Sequence, residues 1–153
     1  YNISSGPFYP VSGSTNQLEA KIDYNDSTHT LNAFDFEVYL HSFVNNLGNQ
    51  NLLAALGAAS FYPYMSFESR RIKEESDQLV INGTLYFRGI YNPVTIYAQR
   101  NDNNDAIKLN GEFTLNVRDY YPMATPLNRL PTYVNMNFQA TFDKDSVIKN
   151  TED

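Results

Sequence analysis

Apolar residues recur at every second position over most of the chain from Gln17 onward. In the first such stretch, Leu18 to Tyr24, apolar residues alternate with charged ones, and Asn25 to Ser27 then supply turn-forming side chains. Similar alternating runs follow over residues 34–40, 79–87, 94–98, 107–117 and 134–142. A period of two is typical of strands with one face in a core and one in water. The pattern predicts about seven strands and an all-β fold.

One segment departs from this alternation. Between Asn51 and Ala59, the residues Leu52, Leu53 and Leu56 share a helical face. Asn51 is a suitable N-cap, and Gly57 weakens or ends a helix. We therefore expect one short helix near residues 51–58.

Short polar clusters separate the predicted strands. The clusters at 73–77 and 101–105 have the length of hairpin turns, so consecutive strands are expected to be antiparallel neighbours. The proline-containing stretches at 121–131 and around Pro7 and Pro10 predict loops, and the tail after Lys144 is expected to fray. An open sheet would expose its apolar face, so the sheet must curl or pack. Successive hairpins favour an antiparallel up-and-down β-barrel over a sandwich.

Composition limits the function classes. The 153 residues suffice for one domain, and a net charge of -6 disfavours nucleic acid as a partner. The absence of cysteine excludes disulfides, thiolate metal sites and cysteine nucleophiles, and no apolar run approaches the roughly 20 residues of a membrane-spanning helix. The sequence opens at Tyr1 without methionine, which is compatible with a removed signal peptide or with a module of a larger secreted protein.

The sequence offers no catalytic or metal-binding motif. His29 and His41 are too few for a metal site, and the acidic pairs, such as Glu74 with Glu75, lie in turn-like clusters where solubility explains them. No nucleophile signature is present. We expect no catalytic residue, no metal and no required cofactor, and hence a protein that is not an enzyme.

Three segments carry a family resemblance. The residues LVINGTLYFRGIYNPVT at 79–95 resemble the G-x-L-x-x-R-G-x-x-x-P-V segment of the YceI-like family. Upstream, ASFYPYMSFES at 59–69 is similar to that family's aromatic Y-P-x-x-x-F-x-S element after a short helix. Downstream, LNGEFTLNVRDY at 109–120 is similar to its G-x-F-x-I-N-R-x-D-F stretch, allowing one inserted residue. The order and spacing agree across the three segments, and the resemblance covers about Phe8 to Phe142.

The resemblance implies a lipocalin-like fold. Members of this family are elongated antiparallel barrels that hold a polyisoprenoid chain or a related amphiphile, and many are bacterial proteins of the periplasm or secreted. The sequence departs from the family in one respect, because only about nine residues stand where a full N-terminal strand is usual. Either that strand lies outside this single domain of residues 1–153, or the barrel closes differently.

We therefore predict a polyisoprenoid-binding protein that carries or sequesters its ligand, with a prenyl quinone as one possible cargo and a dimer as one possible state. Alternation by itself favours a filled core, and it is the family resemblance that implies ligand contacts for the following inward-facing residues: Phe36, Val38, Leu40, Met65, Phe67, Ile81, Leu85, Phe87, Ile96, Leu109, Phe113, Leu115, Met136 and Phe138. The head group needs no charged anchor, and the candidate rim contacts are Tyr39, His41, Arg88 and Tyr91. A structural role for Arg88, paired with a carboxylate such as Asp119, is favoured.

The alternative is a β-sandwich with a filled core. In that case solvent-facing tyrosines such as Tyr39, Tyr97 and Tyr133 would form a platform for sugar rings, as in an adhesion or carbohydrate-binding module.

Overall fold

Most of the described residues lie in the strands of a single curled antiparallel sheet. The computed structural model describes residues 1–3, 11–45, 51–121 and 133–145. The strands are β1 (Asn2–Ile3), β2 (Val11–Ser14), β3 (Leu18–Asn25), β4 (Thr30–Tyr39), β5 (Val44–Asn45), β6 (Tyr64–Glu75), β7 (Gln78–Phe87), β8 (Ile90–Asp102), β9 (Ala106–Asn116) and β10 (Tyr133–Asp143). A helix, α1 (Leu52–Leu56), and two 3₁₀ turns, Leu40–Ser42 and Val117–Tyr120, accompany them.

The seven long strands are neighbours in chain order. The sheet runs β3-β4-β6-β7-β8-β9-β10, and each adjacent pair is antiparallel. The up-and-down, lipocalin-like arrangement predicted from the hairpin spacing is therefore confirmed, and the β-sandwich alternative is wrong. Inward positions alternate with outward ones along the long strands, apart from register shifts between Asp23 and Tyr24 and between Ser69 and Arg71, so the apolar side chains meet inside the curl.

Two-residue turns join β6 to β7 and β7 to β8. Both central residues of each turn have positive φ, 48° and 66° at Ser76 and Asp77, and 55° and 76° at Arg88 and Gly89. Such turns match the right-handed twist of the strands they connect. Gly89 therefore serves a turn, and a Cβ there would meet the Tyr62 ring at 2.6 Å.

Three short strands extend the sheet beyond β10. Strand β1 pairs with β10 at Asn2 and Asn135, β2 pairs with β1, and β5 pairs with β2. Because β5 follows β4 after the Leu40–Ser42 turn, the last strand of the sheet is linked through the chain to β4, the second strand. The short strands thus close one end of the barrel.

Helix α1 covers that same end. Asn51 caps it, because its Oδ1 accepts a hydrogen bond from the Ala54 amide at 3.1 Å, and its Nδ2 donates to the Leu40 carbonyl at 2.8 Å. Leu53 and Leu56 are buried against the barrel. The predicted short helix is confirmed, whereas the predicted proline loops and the tail lie, apart from Tyr121 and Asp145, outside the described residues.

Candidate functional site

The inner face of the barrel is apolar along its whole length. The predicted ligand contacts all lie in this interior, where Phe138 is half-buried and the others are buried. Leu40 reaches it from the 3₁₀ turn after β4 rather than from a strand. Their inward placement follows from the alternation, and their role as ligand contacts stays a prediction.

Phenylalanine rings fill the middle of the barrel. Phe34 stacks on Phe138 at a centroid distance of 5.2 Å, and Phe36 stacks on Phe67 at 5.7 Å. Phe36 also lies 6.0 Å from Phe113. Aromatic pairs of this kind add specific geometry to the burial of large apolar surfaces. The interior is therefore a packed aromatic cluster at this level.

A cavity of about 290 Å³ lies beside this cluster. Its apolar lining comes from both edges of the curl and from the strands between them: Leu18, Phe36, Val38, Met65, Phe113, Met136 and Phe138. Six of these were predicted as ligand contacts, and Leu18 was not. Its position in the alternating run from Leu18 to Tyr24 was the signal that could have found it.

The other predicted contacts lie elsewhere in the interior and do not line this cavity. They are Leu40, Phe67, Ile81, Leu85, Phe87, Ile96, Leu109 and Leu115. Period-two alternation gives the face of a residue and not its height along the barrel, so it could not separate the two sets.

Uncharged polar residues complete the cavity at its mouth. Thr15 and Asn16 come from the crossover between β2 and β3, and Asn137 and Gln139 come from β10. The crossover is held in place because the hydroxyls of Thr15 and Ser42 lie 2.8 Å apart. Amide and hydroxyl groups at a mouth suit a neutral polar head.

The four predicted rim contacts do not line the cavity. Tyr39 and Tyr91 occupy the outward phase of their strands and are 40% and 70% exposed, and His41 lies beside Tyr39 at 5.6 Å. The guanidinium of Arg88 lies over the Tyr121 ring at 4.1 Å and donates to the Tyr120 carbonyl at 3.3 Å.

The predicted pairing of Arg88 with Asp119 is wrong for the described residues, because the Asp119 side chain is exposed on the 3₁₀ turn. The structural role predicted for Arg88 rests instead on the backbone of Tyr120 and the ring of Tyr121. Burial raises the pKa of the neighbouring Tyr120 hydroxyl above its usual range, with a smaller contribution from the negative charge of Asp119. Tyr120 therefore stays neutral at physiological pH.

An ionic cluster ties together the opposite end of the barrel. Arg100 donates two hydrogen bonds of 2.8 Å to the Asp102 carboxylate and a third, also of 2.8 Å, to the His29 carbonyl in the β3–β4 turn. Lys144 lies 3.5 Å from the same carboxylate. The hydrogen bonds from Arg100 lower the pKa of Asp102. This end is thus held by charged groups, while the described residues at the cavity mouth are uncharged.

The surface tyrosines do not form the sugar-binding platform of the alternative prediction. Tyr39, Tyr97 and Tyr133 lie on β4, β8 and β10, which are separated by intervening strands of a curved sheet. The described residues contain no group of three histidine or acidic side chains suited to a metal ion. Among the helices described, none is long and apolar enough to cross a membrane.

The strand order and the apolar interior define a lipocalin-like antiparallel barrel. The family model of the YceI-like domain matches residues 3–149, and the chain therefore belongs to the YceI-like family. Comparison with curated protein sequences finds no match.

Solved structures share the fold. The YceI protein of Campylobacter jejuni superposes with a TM-score of 0.69 at 18% identity, over 94% of this chain and 90% of that chain. A variant of the CJ YceI protein with a monobromobimane guest gives 0.73 at 16% identity and the same coverage. BcnA of Burkholderia cenocepacia gives 0.69 at 16% identity, over 85% of this chain and 86% of that chain. The family model and the solved structures agree on the fold of this chain.

Proposed function

We propose that this protein binds a single-chain isoprenoid lipid inside the barrel and carries or sequesters it without catalysing a reaction. The observation that carries the proposal is the cavity beside the phenylalanine cluster, which joins an apolar interior to an uncharged polar mouth. A prenyl quinone as cargo and a periplasmic or secreted location belong to the same proposal. Both rest on the resemblance to the YceI-like family.

Burial of the chain supplies enough free energy for useful affinity. Each buried CH₂ contributes about 0.8 kcal/mol, so roughly 15 carbons contribute on the order of 12 kcal/mol. An association cost of at least about 4 kcal/mol leaves roughly 8 kcal/mol, which corresponds to micromolar binding. No ionic contact with the head group is needed.

The cavity must enlarge to take a long chain. Its volume of about 290 Å³ lies at the lower edge of the range of small-molecule pockets. Met65 and Met136 line it, and methionine side chains change rotamer readily because they are unbranched. We expect these two residues, together with the half-buried Phe138, to move when the chain enters.

The uncharged mouth indicates the class of head group. Asn16, Asn137 and Gln139 offer amide donors and acceptors, and Thr15 offers a hydroxyl. A quinone, a phenol or an alcohol matches these groups without burying a charge. A phosphate head would meet no cation among the lining residues that the structure describes.

The first experiment is native mass spectrometry of the purified protein, followed by organic extraction and mass analysis of the extract. The expected result is a co-purified species with a ladder of isoprene units. A protein that yields no lipid and is retained on a polysaccharide affinity gel would overturn the proposal and favour binding through surface aromatics.

A substitution locates the binding site. Phe113→Trp adds bulk to the cavity lining, whereas Thr114→Trp places the same ring on the exposed face of β9 and serves as the matched control. With a fluorescent geranylgeranyl probe, we expect Phe113→Trp to weaken binding at least about tenfold, or about 1.4 kcal/mol. Full binding by the Phe113→Trp variant would argue against this site.

A further inference from the structure

The curl of the sheet leaves a seam, which we define as the gap between β3 (Leu18–Asn25) and β10 (Tyr133–Asp143). Strand β3 is an edge of the sheet, and no ladder of backbone hydrogen bonds joins it to β10 in the described part of the chain. The seven long strands are odd in number and alternate in direction, so the first and the last run parallel to each other. The antiparallel pairing used throughout the rest of the barrel is therefore not open to them.

The apolar interior reaches the surface along this seam. Five inward-facing side chains along it are only partly buried: Leu18, Ala20 and Ile22 on β3, and Phe138 and Ala140 on β10. The other inward-facing side chains of these two strands, Tyr24, Val134, Met136 and Phe142, are buried. On β7, in the middle of the sheet, Leu79, Ile81 and Leu85 are at most 3% exposed. The cavity opens on the seam, because its lining includes Leu18 from one side and residues 136–139 from the other.

Both ends of the seam are fixed. Above it, the β2–β3 crossover is held by the bond between Thr15 and Ser42. Below it, Arg100 on β8 binds the His29 carbonyl at 2.8 Å and so holds the turn that follows β3. The strands between these two anchors can part without breaking a backbone ladder.

The helix end offers a less accessible route. Leu53 and Leu56 of α1 are buried, and the Tyr121 hydroxyl donates to the Leu56 carbonyl at 2.7 Å. A Cβ at Gly57 would meet the Phe87 ring at 2.7 Å, so helix and barrel are in close contact. A ligand that entered here would have to displace the helix and its buried leucines.

We propose that an apolar lipid chain enters and leaves the barrel sideways through the seam, while α1 stays docked. This inference rests on the proposed function and adds the route of exchange to it. The occupant is a single slender chain with an uncharged head, since the cavity is small, about 290 Å³, and the described residues that line it carry no charged side chain. Parting of β3 from β10 is then the step that sets the rate of uptake and release.

A removable lock across the seam tests this route. The chain contains no cysteine, so Lys21→Cys with Thr141→Cys gives one reactive pair, and both positions face the solvent on the two strands of the seam. The protein is loaded with a fluorescent geranylgeranyl probe and treated with a cleavable bismaleimide linker. Transfer of the probe to phosphatidylcholine vesicles is then followed by stopped flow, before and after the linker is cleaved.

The expected result is release at least tenfold slower in the linked protein and restored after cleavage. The control pair is Lys108→Cys with Thr141→Cys, which joins direct partners on β9 and β10 and should leave release unchanged. Unchanged release in the seam-linked protein, or equal slowing in the control, would overturn the lateral route. A wild-type protein that takes up no probe would overturn the proposed function as well, so the two failures are distinguishable.

Discussion

A methyl group at Gly111, in the middle of β9, would press directly on the phenylalanine cluster. A Cβ at this position would lie 2.4 Å from Cζ and 2.5 Å from Cε1 of Phe138. Non-bonded carbons pack at about 3.5–4.0 Å, so the ring has to move by roughly 1 Å. The three nearest atoms all belong to this ring and none to the backbone, so the side chain can yield.

The expected cost of Gly111→Ala is that of overpacking. Inserted groups in a packed core cost about 1–3 kcal/mol. For a chain of this length each kcal/mol lowers the melting temperature by roughly 2–4 °C, so we expect a decrease of roughly 2–12 °C. Thermal unfolding followed by circular dichroism measures the decrease, and urea unfolding gives the free energy independently. Because Phe138 lines the cavity, we also expect the displaced ring to weaken lipid binding.

A second substitution isolates the cause. Phe138→Leu removes the ring that the new methyl group meets, so Gly111→Ala should cost less in the Phe138→Leu background, with a coupling energy of about 0.5–3 kcal/mol. Gly83→Ala with Phe67→Leu is the matched control. A Cβ at Gly83 would lie 2.4 Å from the backbone carbonyl oxygen of Glu68 as well as 2.4 Å from the Phe67 ring, so removal of the ring should rescue little. The reasoning is refuted if the effects at Gly111 and Phe138 simply add within about 0.5 kcal/mol.

Three further predictions concern the two ends of the barrel. Because Arg100 lowers the pKa of Asp102, the carboxylate stabilises the fold at pH values above its ordinary pKa of 3.8, and this stabilisation is lost as the pH falls through the lowered pKa. The loss of unfolding free energy in Asp102→Asn, measured with urea, should therefore be constant from about pH 5 to 8 and shrink in stronger acid. A loss that does not change with pH would contradict this. Asn51→Ala should lower the free energy of unfolding by about 0.5–2 kcal/mol, and Asn51→Ser should lower it less, because serine also caps helices. Equal stability of the wild type and the two variants would show that the cap is dispensable. Tyr121→Phe should lower the free energy of unfolding by about 0.5–1.5 kcal/mol, because the hydrogen bond to the Leu56 carbonyl is lost. An unchanged midpoint of urea unfolding would show that this bond does not help to dock α1.

The sequence alone predicted the strands and their faces well. In a strand the side-chain period is two, so Phe36, Val38 and Met136 could be assigned to the interior from their spacing alone. The hairpin turns are equally local, because clusters such as Lys73 to Asp77 bring their turn-forming residues with them. The helix cap at Asn51 followed from the same kind of short-range chemistry.

The site was predicted less completely because its parts are distant in the sequence. Leu18 and Phe138 stand 120 positions apart in the chain and line one cavity only because the curl brings β3 towards β10. The predicted rim contacts failed for a related reason. Tyr39 and Tyr91 have suitable chemistry, but they lie on the outer faces of β4 and β8 and outside the cavity lining.

What the sequence determined by itself is a series of antiparallel strands that each have one apolar face, because alternation and turn chemistry act over a few residues. Only the tertiary structure decided how the barrel closes. The pairing of β1, β2 and β5 at one end, the hydrogen bonds of Arg100 at the other and the unpaired seam between them depend on contacts between distant segments. No local pattern encodes such contacts, since they depend on the twist and curl that the whole sheet accumulates.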